Sequence, residues 1–130
     1  MFPQWKSHFP SKNKEDFMPF INTKTTVTLS NAQKDTLTAE ISSITRECLG
    51  KGENWIMTGY EDNASLSFQN STADIAYVEV KTYGTPSPTG ASQMTAKLSA
   101  LLGRELSISP DRIYVAYFPT DKWGWNGNNF

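Results

Sequence analysis

Residue 19 is a proline that follows a methionine, and its chemistry depends on whether that methionine stays attached. If Met18 begins translation and is then removed, Pro19 presents a secondary amine held in a rigid ring. Such an amine acts as a general base near neutral pH when its surroundings lower its pKa. Inside a chain the same nitrogen is an amide with no proton chemistry. Few other residues offer reaction chemistry. The single histidine, His8, lies in the irregular stretch before Pro19 and reads as an exposed tail residue. The single cysteine, Cys48, excludes an internal disulfide and any Cys-x-x-Cys pair, and it falls on an apolar helical stripe as a core residue.

The chain that must position this proline is 130 residues long, enough for one domain with a modest core. Lys and Arg number 12 against 13 Asp and Glu, so there is no basic footprint for nucleic acid. No apolar run approaches the roughly 20 residues of a membrane span. Cytoplasm is the expected compartment, with secretion lacking a signal peptide as the alternative. Residues 1–18 differ from the rest: two prolines, no periodicity and a polar run, Ser11 to Asp16, without the apolar stretch of a signal peptide. They read as a disordered extension, or as a start assigned too far upstream, ahead of a domain spanning 19–130.

From Pro19 the pattern becomes regular. Pro19 to Leu29 has strand composition. Ser30 with Gln33 forms a capping-box pattern, and Leu37, Ile41, Ile44 and Cys48 follow at helical spacing until Gly50, expected as a left-handed cap. Asn54 to Glu61 predicts a second strand and Leu66 to Phe68 a short one. Asp74 to Tyr83 alternates, with Ala76, Val78 and Val80 on one face and Tyr77, Glu79, Lys81 and Tyr83 on the other. Ser87-Pro88 starts a second helix whose apolar face is Met94, Leu98, Leu101, Leu102 and Leu106. Arg112 to Phe118 predicts the last long strand.

Leu49 to Ile56 lines up with Leu106 to Ile113, and Tyr60 then falls on Tyr117, a weak internal repeat. Two β-α-β units with right-handed crossovers give an α+β fold, a four-stranded mixed sheet with both helices on one face. The other face, with Tyr77, Glu79, Lys81 and Tyr83, is too mixed to be left to water, and self-association would cover it. Trp123, Trp125 and Phe130, set among glycines and asparagines, line a pocket or dock on a neighbour.

Four motifs occur in register: Met18-Pro19 at the first strand, Leu49-Gly50-Lys51 after the first helix, Ser109-Pro110-Asp111-Arg112-Ile113-Tyr114 entering the last strand, and Gly124-Trp125-Asn126-Gly127 with a terminal Phe130. From Pro19 to Phe130 the chain resembles the macrophage migration inhibitory factor family within the tautomerase superfamily. The resemblance implies a homotrimer with active sites between subunits and keto-enol tautomerisation of phenylpyruvate-like 2-oxo acids, with no cofactor and no metal. It implies Pro19 as the catalytic base and Lys51 as the clamp for the substrate carboxylate, although a lysine just past a helix end is also an ordinary solvated residue. Tyr83 takes the position whose backbone N–H meets the substrate. Tyr114 would enter the pocket from the adjacent subunit, and Trp125 and Phe130 match its aromatic walls. Ala116 stands where the animal member has a substrate-contacting asparagine, so one hydrogen bond is missing, and the paired cysteines of that member are absent. Two function classes follow: an enzyme working through a free Pro19, or a non-catalytic, cytokine-like trimeric binding protein in which Pro19 is blocked.

Overall fold

Two serines set where the helices begin in the computed structural model, which describes residues 18–50 and 53–130. Residues 1–17, with His8, and Lys51 therefore lie outside the described residues. The Ser30 hydroxyl accepts from the Gln33 N–H at 3.1 Å, and the Gln33 side chain accepts from the Ser30 N–H at 2.9 Å. This reciprocal box opens α1 (Asn31–Leu49). Ser87 accepts from the Gly90 N–H at 3.0 Å and opens α2 (Pro88–Leu106), where a first-turn proline forfeits no helical bond. Gly50 ends α1 with φ 112° and ψ −171°. That differs from the left-handed cap expected: it is a mirror-extended conformation essentially restricted to glycine. The left-handed cap appears instead after α2, at Ser107, with φ 57° and ψ 38°.

Four strands, β1 (Phe20–Thr25), β2 (Met57–Glu61), β3 (Ala76–Tyr83) and β4 (Ile113–Thr120), form one sheet in the order β2-β1-β3-β4. β2 lies parallel to β1 and β4 parallel to β3, while β1 and β3 meet antiparallel at the centre. The chain is thus an α+β fold of two β-α-β units with both helices on one sheet face. β2 starts later than its composition predicts, because Glu53–Trp55 close into a 3₁₀ turn. Leu66 to Phe68 is not a strand. Phe68 instead exchanges backbone bonds with Ser71 (3.0 and 3.1 Å) across Gln69 and Asn70, both at positive φ.

The internal repeat is sharper in space than in sequence. Ser30 and Ser87 are 57 residues apart, as are Thr38 and Thr95, and Tyr60 and Tyr117. The Tyr60 hydroxyl lies 2.8 Å from the Thr38 hydroxyl, and the Tyr117 hydroxyl 2.9 Å from that of Thr95. In each half the tyrosine of the second strand fastens that strand to the helix preceding it.

The core fills the space between helices and sheet, with Ile21, Leu37, Ile41, Val78, Val80, Met94, Leu98, Leu101 and Leu102 fully buried. The inward face of α1 is rotated slightly from the expected stripe. Thr45 and Leu49 are buried, and Ile44 and Cys48 pack at its margin. Thr45 is admitted because its hydroxyl donates to the Ile41 carbonyl at 2.7 Å, so no polar atom is orphaned. The helices run antiparallel and carry two surface ion pairs, Glu47–Lys97 at 2.9 Å and Glu40–Arg104 at 2.8 Å. Both are solvated and contribute little. Gly90 sets the closeness of the helices, since a Cβ there would overlap the Cys48 carbonyl oxygen.

A candidate active site at one end of the sheet

Pro19 precedes β1 and is buried. Its carbonyl accepts the Met57 N–H at 2.9 Å, which ties it to the start of β2. Because Phe20 pairs antiparallel with Lys81, Pro19 lies at the end of the sheet where β3 finishes in Tyr83. α1 returns to that same end, so Gly50 and the Glu53–Trp55 turn belong to it as well.

The C-terminal residues fold back over this end. β5 (Gly124–Trp125) and β6 (Asn128–Asn129) pair across Asn126 and Gly127, whose φ values of 53° and 80° suit a tight primed hairpin turn. The Phe130 N–H donates to the Trp123 carbonyl at 3.1 Å and closes the hairpin. Its ring meets that of Tyr83 edge to face, with centroids 5.2 Å apart. Trp125 meets Trp55 in the same manner at 5.1 Å. The Gly84 N–H donates to the Thr120 carbonyl at 2.9 Å, holding the chain after Tyr83 against the end of β4. Four of the residues singled out from the sequence, Pro19, Tyr83, Trp125 and Phe130, therefore gather at one end. Trp55 joins them without having been singled out. The sequence marks only a tryptophan four residues past Lys51, and its composition places that residue inside the predicted second strand.

Tyr114 does not join them. It pairs with Tyr77, whereas Tyr83 pairs with Thr120. Six residues of strand separate the two pairs, roughly 20 Å at the usual rise. Tyr114 can meet a Pro19 only across an interface between copies. It is 60% exposed on the sheet face away from the helices, as are Met57 (64%) and Phe118 (43%). The polar groups of that face partly satisfy one another: Asn22 donates to Glu61 at 2.7 Å and Tyr77 to Glu79 at 3.2 Å. Gly59 makes room for this arrangement, because a Cβ there would press on the Asn22 and Phe20 side chains. Ala116 pairs with Glu79 on the same face.

The thiol and the half-buried phenols are not activated. Burial pushes the Cys48 thiol above its ordinary value and Glu47 adds to the shift, so the thiol is not activated. Tyr60 and Tyr117 are likewise raised by burial, despite their threonine partners. Among the described residues there is no cluster of His, Cys, Asp and Glu able to hold a metal, and no helix long and apolar enough to cross a membrane.

The model of the family described as macrophage migration inhibitory factor (MIF) matches residues 18–130. The crystal structure of Leishmania major MIF2 superposes with a TM-score of 0.83 at 42% identity, over 87% of this chain and 97% of that one. The macrophage migration inhibitory factor homologue from Prochlorococcus marinus gives 0.78 at 31% identity, over 85% and 98%. In sequence, the macrophage migration inhibitory factor homolog of Trichinella spiralis is 26% identical over 115 residues, 87% of this chain and all of that protein. The fold and these similarities agree: the chain belongs to the macrophage migration inhibitory factor family.

Proposed function

We propose that this protein is a phenylpyruvate-type keto-enol tautomerase, active as a homotrimer once Pro19 is its first residue. The observation that carries the proposal is the position of Pro19, buried and tied to Met57 at the end of the sheet that Tyr83, Trp55 and the Trp125–Phe130 hairpin enclose. Tautomerisation moves a proton between the carbon beside a ketone and the enol oxygen. It requires a base that is neutral at working pH. Ordinary α-amino groups have pKa values of about 7.7–8.0. An amine among aromatic rings is costly to protonate and falls below that range. The rings also suit an aromatic 2-oxo acid, whose carboxylate would be held by Lys51 and by the backbone N–H of Tyr83. Tyr114 of a neighbouring copy would close the pocket. The trimer buries the exposed Met57, Tyr114 and Phe118 at the same time.

One observation favours a second reading, a non-catalytic MIF-like binding protein with a blocked Pro19. Met18 is only 3% exposed, so the residue ahead of Pro19 is accommodated by the fold, and with Met18 attached the proline nitrogen is an amide. A comparison of start sites separates the two. A chain beginning at Met18 loses that methionine, because proline is small, and tautomerises phenylpyruvate with a rate that rises as pH passes through the depressed amine pKa. The full chain is far slower. Equal rates from both, with the extension intact by mass spectrometry, would remove Pro19 as the base.

A further inference from the structure

Arg112 has an unusual set of partners for an arginine beside an exposed sheet face. Among the described residues its guanidinium donates only to backbone carbonyls: Nε to Asp74 at 3.1 Å, Nη1 to Phe68 at 3.2 Å, and Nη2 to Ala73 at 2.9 Å and Ser71 at 3.3 Å. All four carbonyls belong to the connection between β2 and β3. That connection holds the two-residue turn at Gln69 and Asn70, which has no sheet to extend. An isolated turn of this kind is marginal in water. The planar five-donor guanidinium supplies what the missing strands would.

The same turn carries Phe68. Arg112 lies over its ring, 5.7 Å from the centroid. On its other contact, Phe68 meets Tyr114 edge to face with centroids 5.1 Å apart. A small apolar groove of about 140 Å³ opens between Phe68, Ile75, Tyr77 and Tyr114. Tyr114 is otherwise largely exposed, and a protruding tyrosine without support samples several rotamers.

We infer that Arg112 is a positioning residue for the proposed tautomerase site: through the 68–71 turn and the Phe68 ring it fixes the direction in which Tyr114 projects toward a neighbouring copy. This rests on the proposal that Tyr114 lines the neighbour's pocket. Arg112 itself touches neither substrate nor base. Its guanidinium is committed to carbonyls and does not serve as an anion site.

The test has two readouts. Fluorotyrosine placed at position 114 of the full chain reports ring position by fluorine NMR, with or without catalysis. Phe68→Leu and Arg112→Lys should each shift that resonance, and Phe68→Tyr, which keeps the ring, should leave it in place. Kinetics are then measured on whichever form of the chain turns over phenylpyruvate. Phe68→Leu and Arg112→Lys should each lower kcat/KM about tenfold, mostly through KM, the effect of a misplaced pocket wall. Neither should lower it further once Tyr114 is alanine. An unmoved fluorine signal in Arg112→Lys, or full additivity with Tyr114→Ala, overturns the inference. If Arg112→Lys fails to fold, Arg112→Gln, which keeps donors for the carbonyls but removes the charge over the Phe68 ring, takes its place under the same criteria. If no form is active, the tautomerase proposal fails, and the fluorine spectrum still decides whether Arg112 positions Tyr114.

Discussion

Trp55 and Trp125 stand edge to face, ring centroids 5.1 Å apart, and join the connection after α1 to the C-terminal hairpin. Such pairs contribute about 0.5–1.5 kcal/mol beyond their buried area. Trp55→Ala should therefore loosen the hairpin that carries Trp125 and Phe130. The expected result is a rise in KM for phenylpyruvate of about threefold to tenfold with little change in the melting of the main sheet. Steady-state kinetics beside thermal denaturation check it. A large fall in melting temperature with unchanged KM would make Trp55 a fold residue only.

Lys51 is proposed to clamp the substrate carboxylate. Lys51→Ala should weaken binding of 2-oxo acids by about 1.5–3 kcal/mol, the worth of a hydrogen bond to a charged group. The oligomer should persist. Calorimetric titration with a non-reacting aromatic acid measures the loss, and unchanged affinity would return Lys51 to the solvated surface.

Phe118 tests the assembly. Its ring is exposed on the same open sheet face as Tyr114, four residues further along β4, so Phe118→Glu should place an unpaired charge in any interface formed there. A desolvated charge without a partner costs several kcal/mol. Sedimentation at micromolar concentration should show a trimer for the parent chain and smaller species for the variant. A stable monomer from the parent chain would end the trimer proposal and leave Tyr114 without a pocket to enter.

Asp62 gives a pH dependence of known sign. Its carboxylate accepts the Leu29 N–H at 2.9 Å, which is the main cause of a pKa below the ordinary 3.8; partial desolvation opposes the shift and Lys34 adds to it. The depressed folded-state pKa contributes stability above the unfolded value, and this is lost as pH falls through the folded one. Asp62→Asn should flatten the acid limb of the stability curve below pH 3.8 and leave its shape near neutrality unchanged. Urea unfolding at a series of pH values checks it, and an unaltered acid limb would remove Asp62 as a contributor.

Much of this fold is written in local rules. The Ser30–Gln33 box, the Ser87-Pro88 start and the strict alternation of β3 each involve residues within a turn or two of one another, and each appears in space as the pattern predicts. The candidate site was partly legible for a different reason. Pro19, Trp125 and Phe130 are marked by motifs and Tyr83 by its place at the end of the alternating strand, and the topology then gathers them at one sheet end. What periodicity does not encode is contact between irregular segments. Trp55 reads as the second residue of a strand until the 3₁₀ turn moves it to the corner. Leu66 to Phe68 has strand composition, yet Phe68 is claimed by Arg112 and Tyr114, far along the chain. Thr45 reads as surface because a hydroxyl is polar, and only its bond to Ile41 lets it inside.

The 57-residue correspondence between the halves has a consequence for counting. Carried from one half to the other, Met57 maps onto Tyr114, and Pro19 maps onto Ala76. Ala76 lies fully buried at the first residue of β3, in the middle of a continuous polypeptide. The duplicated architecture thus repeats the backbone position of Pro19 at Ala76, but a chain has one beginning. The second position can never present a free α-amine, whatever residue is placed there. An inactivator selective for a depressed-pKa proline amine over the lysines should consequently saturate at one equivalent per polypeptide.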